Sequence, residues 1–82
     1  MRCYELMRKV TVGPLTIRLW IDADEGLCEM CEGNADELAM CASTLADEDD
    51  EPLALAEKIA NTLRVKAVEV VDEAGNGGLV RP

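Results

Sequence analysis

Apolar residues alternate strictly with polar ones from Leu15 to Ala23: Leu15, Ile17, Leu19, Ile21 and Ala23 are separated by Thr16, Arg18, Trp20 and Asp22. A repeat of two is the signature of a strand with one buried face. Gly13-Pro14 breaks the pattern, and taking those two residues as a turn makes residues 3–24 a β-hairpin. Val12 then faces Leu15, Val10 faces Ile17, Leu6 faces Ile21 and Tyr4 faces Ala23. Each pair is apolar, so the register is self-consistent. Arg8 opposite Leu19 is the exception and needs the sheet rim or a carboxylate. Pro is not the usual second residue of a tight turn, which leaves a longer loop of the same parity open.

The other face of the hairpin pairs Glu5 with Asp22, Met7 with Trp20 and Lys9 with Arg18. Met7 and Trp20 make an apolar island there. Either the C-terminal tail covers it or it is a contact for a second subunit or a partner. Monomer and homodimer both stay open.

Further along, the period changes. Residues 24–33 read as a linker. Asn34 reads as an N-cap, with Glu37 completing a capping box. Leu38, Cys41 or Ala42, and Leu45 form one stripe of a helix ending near Ala46. Asp47–Glu51 is an acidic run closed by Pro52, which suits a first helical turn. A second helix is predicted from Pro52 to Leu63, burying Leu55 or Ala56, Ile59 and Leu63. Residues 65–71 are Val-rich and predict a strand. Gly75-Asn76-Gly77-Gly78 is a turn, after which Leu79-Val80-Arg81 can pair back. The expected fold class is α+β in one domain spanning 1–82. The antiparallel hairpin and C-terminal strand share a sheet, with two helices on one face (β-β-α-α-β, with or without a short final β).

At 82 residues, one modest core is all the chain can build, burying roughly 60–65% of its unfolded surface. There is no Phe, and Tyr4 and Trp20 are the only aromatic residues, so Leu, Val and Ile must do the packing.

Charge changes the picture more. Leu19–Glu57 contains no Lys or Arg and carries −13, while the rest of the chain carries +4, giving −9. Such a balance argues against direct contact with nucleic acid or an anionic membrane and favours basic partners or cations. The first ten residues, MRCYELMRKV, hold no apolar run long enough for a signal peptide or a membrane helix, so a cytoplasmic, reducing location is expected. Cysteines there are thiols or metal ligands rather than disulfides.

Candidate chemistry is sparse. The chain has no His, a single Ser (Ser43) and no phosphate-binding glycine loop, so no catalytic residue is assigned and a non-enzymatic role is expected. Cys28-Glu29-Met30-Cys31 spaces two thiols as a metal clasp does. With Cys3 and Cys41 it makes an alternative reading, a small domain stapled by structural zinc. Against it stand the single C-x-x-C pair and the packing role expected of Cys41. Glu29 and Glu32 disfavour thiolates and make the pair a poor redox motif.

The residues singled out for partner binding are Asp36, Glu37, Asp47, Glu48, Asp49, Asp50 and Glu51. A solvated, solubilising face is one account of them. The other is an anionic surface aimed at a basic, nucleic-acid-binding protein. In charge, size and lack of catalytic groups the chain resembles small acidic inhibitors that mimic nucleic acid, including phage anti-restriction and anti-CRISPR proteins. The resemblance extends to no motif, and no family is assigned from it.

Overall fold

A computed structural model describes the backbone of residues 3–24 and 28–82 and the side chains of residues 6–21 and 35–82. Four strands and two helices follow one another as β1 (Cys3–Val12), β2 (Leu15–Asp24), α1 (Cys28–Leu45), α2 (Pro52–Thr62), β3 (Ala67–Val71) and β4 (Gly77–Val80). The strands form one antiparallel sheet in the order β1-β2-β3-β4. The α+β expectation is met, with the final strand present.

The hairpin register is the one the alternation dictates, from Cys3↔Asp24 through Met7↔Trp20 to Val12↔Leu15. The loop is only two residues long. Gly13 adopts a φ of 56°, and proline holds its own φ near about −65°, the sign pattern of a type II′ turn. Pro14 is therefore compatible with the tight turn because glycine precedes it.

One face of the sheet packs on the helices, α1 over β1 and β2, α2 over β3 and β4. Ile17, Leu19, Ile59, Val68 and Val70 are fully buried, and Leu15, Ile21, Leu55, Val65, Ala35, Ala42, Ala56 and Ala60 complete the core. Leu38, Leu45 and Leu63 border it rather than fill it. The helices supply much of their contact as alanine, which lets backbones approach the sheet closely where no Phe is present to fill space.

The first helix differs from expectation. It begins by Cys28, so residues 28–33 are helical rather than linker, and Asn34 lies in its interior instead of capping it. Glu29 and Glu32 fall in its first two turns, where the helix dipole favours acids. Gly33 costs about 1 kcal/mol inside a helix, and the burial of Ala35 and Ala42 against the sheet offsets it.

The second helix starts where expected. Glu51 is its N-cap, its Oε2 accepting from the Ala54 N–H at 3.0 Å, and Pro52 occupies the first turn. β4 begins two residues before Leu79. Gly77 takes a φ of 140°, and a side chain there would run into the Val70 carbonyl.

Candidate functional site

The acidic run forms a hydrogen-bonded turn between the helices. Asp50 Oδ2 accepts from the Asp47 N–H at 2.9 Å, Asp47 Oδ1 accepts from the Asp49 N–H at 3.0 Å, and the Asp47 carbonyl accepts from the Asp50 N–H at 2.9 Å. Asp47, Glu48, Asp49 and Glu51 are exposed and Asp50 is half-buried. Two contacts fix the turn at one end of the sheet. Glu48 lies over the β1–β2 turn, its Cβ 2.6 Å from where a Gly13 side chain would begin, and Pro52 abuts Gly77.

That end also holds two carboxylates the sequence reading left out. Asp72 and Glu73 follow β3, whose last residue Val71 pairs with Thr16 and Gly77. Asp72 shapes its own turn, Oδ1 accepting from the Ala74 and Asn76 N–H groups at 2.9 Å each. Seven acids therefore meet at one end of a body 40 × 20 × 19 Å across. Nothing in the linear charge pattern singled out Asp72 and Glu73, because they sit in the basic part of the chain. A strand–turn signal placed beside the helix-joining loop is what links them.

Asp36 and Glu37 do not join this group. They lie nine and eight residues before the α1 end at Leu45, about 12–14 Å along its axis. Asp36 is engaged by Arg8, whose Nε donates to Oδ1 at 2.8 Å. This is the carboxylate that Arg8 was expected to need. Glu37 is exposed. Lys58, the basic residue nearest the acidic turn in sequence, donates from Nζ to the Leu45 carbonyl at 3.1 Å, satisfying an end group of α1.

On the opposite, helix-free face the register aligns Met7, Trp20 and Ala67 in one row, and Lys9, Arg18, Glu69 and Leu79 in the next. Glu5 pairs in register with Asp22 two residues beyond Met7 and Trp20, and the side chains of both lie outside the described residues. Met7 is 46% exposed and Trp20 half-buried. Arg18 Nη1 pairs with Glu69 Oε1 at 3.0 Å. Leu79 and Arg81 of the tail stand beside Trp20 and enclose with it a cleft of about 320 Å³.

Cys3, Cys28 and Cys31 have side chains outside the described residues. Cys41 is exposed on α1, in a groove shared with Leu45 and Leu63, and does not pack on the buried stripe, a place Ala42 takes instead. Ten helical residues separate Cys31 from Cys41, a rise of about 15 Å. No helix among the described residues is long and apolar enough to cross a membrane.

Comparison of the chain with family models, with curated proteins and with solved structures gives no match.

Proposed function

We propose that the protein is a non-enzymatic binding protein that presents its acidic end to a basic protein partner. In this reading it is an inhibitor or regulator that occupies a nucleic-acid-binding surface in place of the phosphate backbone. The observation that supports it is the meeting of Asp47–Glu51 with Asp72 and Glu73 at one end. These seven carboxylates lie on turns fixed by short hydrogen bonds and by a helix cap. Anionic groups held on fixed turns lose little conformational entropy when a partner's Lys and Arg side chains approach. They also attract such a partner from a distance. A merely solubilising surface has no need of either property.

The test is capture of partners from the native host on immobilised protein, followed by competition against labelled duplex DNA for each captured protein. The expected result is a captured nucleic-acid-binding protein whose DNA complex is displaced as the acidic protein is added. Captured proteins with no affinity for nucleic acid, or DNA complexes that persist in excess of the acidic protein, contradict the proposal.

A further inference from the structure

β1 is the outermost strand of the sheet, with β2 as its one neighbour there. Proteins blunt such an edge by keeping it short or by breaking it with proline, charge or a bulge. β4, the other edge, is blunted: it is four residues long, begins with Gly77-Gly78 and runs on to Pro82. β1 is ten residues long, holds no Pro or Gly, and pairs with β2 without interruption from Cys3 to Val12. Its outward backbone groups follow from the turn. The two-residue loop closes on Val12 and Leu15, and bonded pairs alternate along an antiparallel ladder. The N–H and C=O groups of Met7, Lys9 and Thr11 therefore point away from β2. Arg8 Nη1 donates to the Met7 carbonyl at 3.1 Å, and a carbonyl oxygen has a second lone pair for another donor. Arg8 is also tied to Asp36, which leaves Lys9 as the charge guarding this edge.

A strand laid against this edge must match its charges, and β1 matches itself. Two copies related by a two-fold axis pair antiparallel only in registers that keep each face on its own side. Centring the axis on Arg8 or Lys9 sets like charges directly opposite, which is unfavourable. Centring it on Met7 avoids this and pairs residues 3–11 of each copy. Met7 then meets Met7, Lys9 falls opposite position 5, a glutamate, and Thr11 falls opposite position 3. The row of Met7 and Trp20 runs unbroken through both copies in this register. The acidic end lies over the β1–β2 turn at Gly13, so antiparallel pairing sends the two acidic ends to opposite poles. Met7 to Gly13 is about 20 Å of strand, which holds those ends several screening lengths of roughly 8–10 Å apart. We propose that β1 pairs with β1 of a second copy about a two-fold axis through Met7, joining two four-stranded sheets into one. This goes beyond the acidic-end reading and uses none of its residues.

Sedimentation equilibrium and amide hydrogen exchange on the full chain, each from about 1 μM to about 1 mM, are the test. The mass should rise from 8.9 kDa to twice that, with a Kd of about 100 μM or tighter. Over the same range the amides of Met7, Lys9 and Thr11 should become protected. Those of Leu6, Arg8 and Val10, which face β2, should not change. Met7→Lys sets two lysines directly opposite across the axis and should weaken association by about tenfold or more with unchanged circular dichroism. Should that variant fail to fold, Lys9→Pro, which removes an outward N–H and spares the β2 ladder, must stay a monomer. The proposal is overturned if the native chain stays a monomer at about 1 mM. It is equally overturned by a dimer that leaves the Met7, Lys9 and Thr11 amides unprotected, or by folded Met7→Lys that associates undiminished.

Discussion

Leu19, Ile59, Val68 and Val70 are each wholly removed from solvent, and in a core without Phe no larger side chain is present to relax into a vacated space. Truncating either Leu19 or Ile59 to Ala should cost about 2–5 kcal/mol, read as a fall in the denaturant midpoint. Wild-type midpoints for both variants would contradict the packing described. Gly77 is constrained differently. Its φ of 140° and the nearby Val70 carbonyl leave no room for a side chain. Gly77→Ala should therefore destabilise by more than the ~1 kcal/mol that a permitted Gly→Ala change gains, with the largest rise in amide exchange at β4. Gly75, also at positive φ but with open space around it, is the control whose substitution carries only the backbone cost.

At the scale of elements, α2 depends on a side chain that also belongs to the acidic run. Glu51 caps it, so Glu51→Ala should cost about 0.5–2 kcal/mol, within the range of N-cap losses. Arg8 and Asp36 join β1 to α1 across an exposed rim, and a double-mutant cycle there should give a coupling below about 1 kcal/mol. Coupling well above that would mean the pair orders α1 rather than decorating it. The two helices also show what was legible beforehand. α2 was readable because Pro52 suits the first helical turn that it occupies, whereas the cap by Glu51 was not, since Glu is not a usual N-cap residue. The start of α1 was not, since Gly33 and Asn34 have the chemistry of a helix boundary and packing of the Ala35–Ala42 face against β1 and β2 overrides it. The β1–β2 register was readable because a one-residue slip would have exposed Leu15, Ile17, Leu19 and Ile21 together.

For the whole molecule, charge is divided by position in space more than by position in the chain. The acidic stretch from Leu19 to Glu57 was evident in the sequence. That Asp36 would be spent on Arg8, and that Asp72 and Glu73 would stand with Asp47–Glu51, depended on strand order and on where each turn lands. The carboxylates also differ in what removing them does. Asp47, Asp50, Glu51 and Asp72 accept backbone N–H groups, so reversing them disturbs the fold as well as the charge. Glu48, Asp49 and Glu73 are exposed, and lysine in their place retains an aliphatic stem. The most direct measurement is therefore the affinity of a captured partner across a salt series, for the native chain and for Glu48→Lys/Asp49→Lys/Glu73→Lys. The account predicts native binding that weakens steeply as salt rises, and a variant that has lost binding with its melting temperature nearly unchanged. Equal affinity of the two proteins, insensitive to salt, would show that the acidic end is a solubilising surface and does not bind the partner.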